Sequence, residues 1–177
     1  MKLSHGSLQL MALVISAGFS VQAADWSGVS LGTTYFQPDL SSPFPEADSV
    51  VGVGIELPTA AFGFFSVDFS PTSISITSLG DLNLGDGSPA FAGFRFYDAN
   101  NAAPSLVSAV VGGPLSPGLS YDTDSVSINF AGLSLAANST YVVNLNFEPV
   151  PEASTYAAGL AVLPALGLWW RRRSVQG

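Results

Sequence analysis

Nearly all the residues of this chain that could do chemistry are carboxylates. Between Ala24 and Pro149 the sequence has no histidine, lysine or cysteine, and Arg95 is its one basic residue. A serine nucleophile there would have no histidine base, and neither a cysteine–histidine zinc site nor a Schiff-base lysine can be built. Two-carboxylate chemistry, as in glycoside hydrolysis, is still allowed. We expect no catalytic residue, because nearly all the acids fall at strand ends or in loops, where solvated charge is common: Asp25, Asp39, Glu46, Asp48, Glu56, Asp68, Asp81, Asp86, Asp98, Asp122, Asp124 and Glu148.

Three loops group oxygen-bearing side chains of the kind that Ca²⁺ prefers as ligands. Their spacing does not match the EF-hand loop, which needs alternating acids, a glycine and a distant glutamate. Calcium is therefore a candidate cofactor without a motif, and no other cofactor is expected. The candidate ligands are Asp81, Asn83 and Asp86 in one loop and Asp122 and Asp124 in a second, with Asp98 and Asn100 forming a third group.

Aromatic residues divide into candidate sugar-stacking platforms and candidate core. Rings at strand ends or in loops are placed where a sugar could stack, and five fit that description: Trp26, Tyr35, Phe44, Tyr97 and Tyr121. Core packing better explains the phenylalanines inside apolar runs, namely Phe62, Phe64, Phe94, Phe96 and Phe130.

Short strands must position these groups. Residues 72–79, 91–97, 125–130 and 141–147 alternate apolar and polar side chains with the period of two that marks a half-buried strand. Further strands are predicted at 29–37, 50–57, 60–69 and 106–111, with loops at 80–89 and 112–124. No stretch from 24 to 149 has helical apolar spacing. The pattern predicts an all-β domain, an antiparallel β-sandwich or jelly roll.

Charge narrows the partners of this domain. The chain has 177 residues, of which 13 are acidic and 5 are basic. Residues 24–150 hold 12 of those acids and only Arg95 among the bases, which gives a formal charge of about −11. Nucleic acids and anionic membrane surfaces need basic patches, so neither is an expected partner. The chain also has no cysteine, so no disulfide can stabilise it.

The amino terminus is typical of a secretory signal peptide. Lys2 precedes an apolar stretch from residue 8 to 19, and small residues lie at Ala23 and Ala24, where cleavage is expected. The predicted signal helix occupies residues 1–23 and contains His5, the one histidine of the chain. A retained membrane helix is the alternative.

The last 28 residues have a distinct order. A motif of Val150, Pro151, Glu152, Ala153 and Ser154 leads into a run that has no charged, amide or hydroxyl side chain from residue 157 to 170. Residues 154–170 would span roughly 26 Å as a helix, at the short end of a transmembrane span. A buried core helix is the alternative. The flanking residues favour the membrane, with interfacial rings and cytoplasmic charges at Trp169, Trp170, Arg171, Arg172 and Arg173.

Motif, apolar helix and arginine cluster in this order resemble the PEP-CTERM sorting signal of Gram-negative envelope bacteria. Two departures are visible, since Ala153 replaces the usual second proline and Pro164 lies inside the helix. The resemblance implies a sorting signal at residues 150–177, processing by an exosortase (a membrane protease-transpeptidase), and transient residence in the inner membrane.

Two functions remain as expectations. The resemblance implies an exported, non-enzymatic envelope or extracellular-matrix protein, associated with biofilm and exopolysaccharide and left at the cell surface after processing. The alternative is a carbohydrate-binding or carboxylate-based glycan-acting domain, with calcium as a candidate requirement.

Overall fold

A computed structural model describes residues 21–22, 24–85 and 89–151, and within these ranges the chain has strands and no helix. The prediction of an all-β domain is therefore confirmed. The strands, in chain order, are β1 Val21–Gln22, β2 Ser30–Phe36, β3 Pro43–Pro45, β4 Ser49–Val50, β5 Leu57–Ala60, β6 Phe65–Ser70, β7 Ser73–Ser78, β8 Leu82–Asn83, β9 Gly93–Asp98, β10 Leu106–Gly112, β11 Gly118–Tyr121, β12 Ser125–Asn129, β13 Ser134–Leu135, β14 Thr140–Phe147 and β15 Val150–Pro151.

Two large antiparallel sheets lie within one compact unit that extends from residue 23 to 150. The first has five strands in the order β10-β14-β7-β6-β5. The second has the order β11-β12-β9-β2-β3, and β4 pairs with β2 as a sixth strand. Strands β8 and β13 form a small separate pair, and so do β1 and β15.

The apolar side chains of both large sheets belong to one core. Phe65 of the five-stranded sheet lies with its ring centre 5.3 Å from that of Phe94 of the six-stranded sheet, edge to face. Phe69 and Phe96 make the same kind of contact at 5.6 Å. Each pair adds about 0.5–1.5 kcal/mol to the free energy gained by burying the rings. Two antiparallel sheets that share one core in this way are consistent with a β-sandwich.

Alternation decides which side chains enter that core. On β7 the side chains of Ile74 and Ile76 are fully buried, and the intervening Ser75 lies on the opposite, partly exposed face. Strand β14 alternates likewise, with Tyr141, Val143, Leu145 and Phe147 buried. Because one face of each strand is buried, a register slip of one residue would expose the whole apolar row, which fixes the pairing.

The prediction of a strand over 50–57 is wrong. After Val50 the backbone bends through Gly52 and Gly54, the latter with φ of 106°. The Glu56 carboxylate accepts hydrogen bonds from the N–H groups of Gly52 at 3.2 Å and Phe69 at 2.7 Å. These side-chain bonds replace a strand ladder, and Pro58, which directly follows the predicted strand, lies inside β5 at a sheet edge.

The strand predicted over 60–69 is two strands joined by a tight turn. β5 ends at Ala60 and β6 begins at Phe65. Ala61, Phe62 and Gly63 between them all have positive φ, of 49°, 61° and 85°. The loop predicted over 112–124 also contains a strand, β11, which pairs with β12.

One edge of the six-stranded sheet is closed by a Pro-Phe-Pro strand, β3. The N–H of Glu46 donates to the Thr33 carbonyl of the adjacent strand β2. Since backbone groups alternate in direction along a strand, the nitrogens of Pro43 and Pro45 lie on the opposite side, at the free edge.

Among the described residues no helix is long and apolar enough to cross a membrane. The predicted signal helix 1–23, except residues 21–22, and the predicted span 154–170 with its arginines lie outside the described residues.

Candidate functional site

The structure sorts the five predicted stacking rings into two groups. Trp26 and Tyr35 are 1% and 3% exposed, so their prediction as stacking platforms is wrong, and they belong to the core. Tyr97, Tyr121 and Phe44 retain 37%, 46% and 38% of their surface. Among the predicted core phenylalanines, Phe94, Phe96 and Phe130 are buried as expected.

Phe62 and Phe64 were predicted to be core and are instead exposed, at 67% and 50%. The turn between β5 and β6 directs Phe62 out of the sheet, where its ring meets that of Phe44 at 5.0 Å. The Glu46 carboxylate accepts a 2.7 Å hydrogen bond from the N–H of Ala61 and fixes the turn. The ring contacts of Phe44 and Phe62 are with other aromatic rings.

Tyr97 occupies a different place, on the outer face of the six-stranded sheet. Its partner across β9 and β2 is Gly32. A Cβ atom added to Gly32 would lie 2.3 Å from Cζ of the Tyr97 ring and 2.6 Å from its hydroxyl. The ring therefore lies across the strand against the Gly32 backbone, a packing that only a residue without a side chain allows.

Arg95 lies two residues before Tyr97 on β9 and shares its face. Its Nη2 donates a 3.1 Å hydrogen bond to Oγ of Ser125 and lies 3.8 Å from Oδ2 of Asp122. The Ser125 hydroxyl in turn donates to Oδ1 of Asp122 at 2.9 Å. Ser125 is itself the partner of Tyr97 across β12 and β9. We call Gly32, Arg95, Tyr97, Asp122 and Ser125 the Tyr97 site.

The strand register places a second row of polar side chains beside this site. Ser120, Ser127, Arg95 and Thr34 follow one another across β11, β12, β9 and β2, each directly opposite the next. Residues directly opposite in adjacent strands point to the same face, so these polar side chains form one row. Ser125, Tyr97 and Gly32 form the row beside it.

The Asp122 and Asp124 carboxyls titrate as an interacting pair. Burial acts against the charge of Asp122, but hydrogen bonds from the side chains and N–H groups of Asp124 and Ser125 outweigh it and lower the pKa of Asp122. The hydrogen bond to Asp122, with the repulsion of its charge, raises the pKa of Asp124. The Tyr97 site therefore has a carboxylate at Asp122 that stays ionised, balanced in part by Arg95.

The other predicted calcium ligands lie elsewhere. Asp81 and Asn83 border a shallow cavity of about 370 Å³ with Leu82, Ser134, Leu135 and Ala136. Oδ1 of Asp81 accepts a hydrogen bond from the N–H of Ala137 at 2.8 Å, and Oδ1 of Asn83 accepts one from Gly85 at 3.1 Å. Asp86, the third predicted ligand of this loop, lies outside the described residues.

The carboxylates that can be placed are mainly occupied by the protein's own donors. Asp122 caps its loop through the N–H groups of Asp124 and Ser125. Both oxygens of Asp98 accept N–H groups, from Asn100 and from Ala103. Over residues 24–85 and 89–149 no three acidic, histidine or cysteine side chains come together as metal ligands would. Calcium binding therefore stays a prediction.

One further carboxyl pair lies on the outer face of the five-stranded sheet. Burial first, and then the charge and hydrogen bond of Glu56, raise the pKa of Asp68. The Glu56 oxygens already accept two backbone N–H groups, which gives this pair a structural role in joining residue 52 to β6.

The alternation over residues 91–97 puts Arg95 and Tyr97 on one face of a strand, but it does not reveal the site. The signal that could have found it is Gly32 within β2, because glycine inside a strand often marks the close approach of another group. The sorting residues Glu152, Ala153 and Ser154, the flanking residues 169–173 and the cleavage residue Ala23 lie outside the described residues. Val150 and Pro151 form β15, and Ala24 lies within the compact unit, where it packs against the core.

Comparison of the chain with protein-family models, with curated proteins and with solved structures gives no match. The function must therefore be argued from the residues of this chain.

Proposed function

We propose that this protein is an exported, non-enzymatic component of the cell envelope or extracellular matrix, sorted through residues 150–177 and processed there by an exosortase. The observation that carries the proposal is the order of a Pro-Glu motif, an apolar run and three arginines at the end of the chain. In this proposal an N-terminal signal helix and a C-terminal transmembrane helix flank an antiparallel β-sandwich or jelly roll. The domain is exported through the inner membrane, held by its helix, and then left at the surface or in the exopolysaccharide matrix.

The chemistry of the domain supports a role without catalysis. Its sequence offers no histidine, lysine or cysteine, and the carboxyl pairs that the structure places hold backbone N–H groups of their own loops. A strongly acidic domain also suits a location outside the cell, where it must stay soluble without a partner.

The sorting proposal is tested with a fluorescent protein inserted after Ala24 in a bacterium that has an exosortase. We expect the full chain to yield a shorter surface or released form whose C-terminal peptide, by mass spectrometry, ends near Glu152. Deleting residues 150–177 should abolish membrane retention, and replacing Pro151 and Glu152 by alanine should leave the uncut precursor in the membrane.

Ala153→Pro serves as the matched variant, because it restores the usual second proline without changing length or charge. In this variant the fraction of the protein that is cut near Glu152 should be larger than in the wild type. If the deletion leaves retention and release unchanged, the sorting proposal is wrong.

A second candidate function is carbohydrate binding, favoured by the exposed Tyr97 ring beside hydrogen-bonding side chains. Purified protein tested against polysaccharides, with and without Ca²⁺, should show a ligand-dependent thermal shift if the domain binds glycans. Turnover would instead identify a carboxylate-based hydrolase. If the protein shows no binding and no turnover, this candidate function is wrong.

A further inference from the structure

We propose that the Tyr97 site binds an uncharged sugar chain, with the Tyr97 ring as the stacking platform and Arg95 and Asp122, held by the buried Ser125, as the hydrogen-bonding groups. This inference rests on the second candidate function, carbohydrate binding, and adds the place and the ligand class.

The Tyr97 ring is built as a platform. It lies over Gly32, so close that one added carbon atom on that residue would come within 2.3 Å of the ring. Tyr97 nevertheless keeps 37% of its surface exposed, so part of the residue is accessible to a ligand above the sheet. The C–H face of a pyranose is apolar and matches the face of an aromatic ring. Since the hydroxyl end of the ring already packs against Gly32, little side-chain freedom is lost on binding.

The polar groups beside the ring suit hydroxyl groups, which donate and accept hydrogen bonds. Arg95 has five N–H donors, and the hydrogen bond that the structure assigns to its side chain is the one to Ser125. The Asp122 side chain keeps 56% of its surface exposed, so its carboxylate can accept from a ligand hydroxyl in addition to the hydrogen bonds that it accepts from Ser125 and Asp124. A donor and an acceptor are thus available together next to the exposed ring.

Charge selects the ligand class. The site combines one guanidinium with the Asp122 carboxylate and the neighbouring Asp124, and the domain around it has a charge of about −11. An anionic polysaccharide would be repelled by this field. A cationic polymer would be attracted by the domain as a whole, but within the site it would meet the Arg95 guanidinium. An uncharged chain meets neither obstacle. Its hydroxyl groups can hydrogen-bond to Arg95 and Asp122, which already balance each other's charge.

The other exposed rings do not combine these features. Phe44 and Phe62 contact each other edge to face and carry no hydrogen-bonding group. Tyr121 is more exposed than Tyr97, but its partner across β11 and β12 is the buried Val126, which places it at the edge of the core face. These residues therefore provide controls.

The test is binding of the purified full-length protein to uncharged glycans (cellulose, starch, dextran and a β-1,3-glucan), with alginate as the anionic and chitosan as the cationic comparison. We expect saturable binding to at least one uncharged glycan. Tyr97→Ala should weaken it about tenfold or more, whereas Tyr97→Phe, which keeps the ring, should stay within about threefold. Tyr121→Ala and Phe62→Ala should bind like the wild type.

Gly32→Ala probes the platform without removing the tyrosine. The added methyl group must displace the ring, so binding should fall as it does in Tyr97→Ala. Thermal unfolding shows which variants are folded. If Gly32→Ala does not fold, the comparison of Tyr97→Ala with Tyr97→Phe decides whether the Tyr97 ring is the stacking platform.

Each failure has a separate meaning. No binding by the wild type to any uncharged glycan overturns this inference and the carbohydrate-binding function together. Binding that survives Tyr97→Ala overturns the site and keeps the function, whether or not Tyr121→Ala or Phe62→Ala weakens it. Preference for alginate or chitosan overturns the ligand class.

Discussion

At the scale of single residues, the carboxyl pair of Glu56 and Asp68 makes stability depend on pH. Because the pKa of Asp68 is raised in the folded state, folding favours its protonated form. The fold is then most stable, as far as this group is concerned, below the unfolded pKa of about 3.9, and it loses stability as pH rises towards the raised value. Above the folded-state pKa of Asp68, the fold bears the full free-energy cost of holding this carboxyl in its ionised form.

We therefore predict that Asp68→Asn raises the melting temperature by a few degrees at pH 7 and leaves it nearly unchanged at pH 3. The asparagine amide can donate to Glu56 and carries no charge. Differential scanning calorimetry of both proteins from pH 3 to pH 7 measures the difference.

Asp39→Asn is the control of opposite sign. Hydrogen bonds from the hydroxyl and N–H of Ser41 lower the pKa of Asp39, so its contribution to stability is present at neutral pH and lost in acid. This variant should melt lower than the wild type at pH 7 and converge with it near pH 3. If both variants shift in the same direction, the assignment of these two pKa shifts is wrong.

The Tyr141 hydroxyl is buried and has no hydrogen-bond partner among the residues that the structure describes. Burial raises the pKa of Tyr141, so the hydroxyl stays neutral and its unmet hydrogen bond costs free energy. We predict that Tyr141→Phe raises the free energy of unfolding by about 1 kcal/mol, measured as a higher urea midpoint with an unchanged slope.

Tyr35→Phe is the matched control for this substitution. The Tyr35 hydroxyl donates to Oε1 of Gln37 at 3.1 Å, so its removal should lower the free energy of unfolding by about 1 kcal/mol. A loss of stability in Tyr141→Phe similar to that in Tyr35→Phe would show that the Tyr141 hydroxyl is satisfied.

Single-residue predictions from sequence succeeded where alternation was strong. Phe94 and Phe96 were placed correctly because the intervening Arg95 marks the outer face. Tyr35 was misplaced because a tyrosine near a proline suggests a strand end, whereas its ring packs on Phe94 and Phe65 in the core. Amphipathic rings suit buried and surface positions alike, so composition does not separate the two.

At the scale of elements, the turn from β5 to β6 stores backbone strain. Phe62 has a φ of 61°, a left-handed conformation in which any residue with a Cβ atom is disfavoured. We predict that Phe62→Gly is more stable than Phe62→Ala by about 1 kcal/mol, because both lose the ring and only glycine is unstrained. Chemical denaturation of the two variants measures this order.

The adjacent Phe64 supplies the control, since it is also exposed and its φ is not positive. There the order should reverse, with Phe64→Ala more stable than Phe64→Gly, because glycine gains more freedom in the unfolded chain. The same order at both positions would contradict the strain at Phe62.

The same turn explains why the elements were only partly predictable. The strands with regular alternation, β7, β9, β12 and β14, were expected within one or two residues of their observed ends. The β5–β6 turn was missed because Ala61 and Phe62 are not turn formers, and the Glu46 carboxylate that holds Ala61 is 15 residues distant in sequence. The short strand β11 was missed because glycines and prolines surround it, and only its pairing with β12 reveals it.

At the scale of the whole molecule, the excess of negative charge opposes folding. With a formal charge of about −11 on residues 24–150, mutual repulsion should be relieved by salt. We predict that the melting temperature of this domain rises when NaCl is increased from about 20 mM to about 500 mM, a range over which the screening length falls to about 4 Å. Differential scanning fluorimetry measures the shift.

CaCl₂ at matched ionic strength distinguishes screening from a bound ion. A shift equal to that of NaCl indicates screening alone, and a larger, saturable shift would support the predicted calcium ligands. A melting temperature that falls with NaCl would contradict the role of charge repulsion.

The Pro-Phe-Pro strand β3 has a consequence for how these molecules behave when crowded. A strand from a second molecule can extend a sheet only if the exposed edge offers N–H donors, and the nitrogens of Pro43 and Pro45 at that edge carry no hydrogen. Along β3 the six-stranded sheet therefore offers no N–H donor to a strand from a second molecule. At high protein concentration this part of the sheet edge should resist strand addition between molecules, which favours separate domains over edge-to-edge assembly.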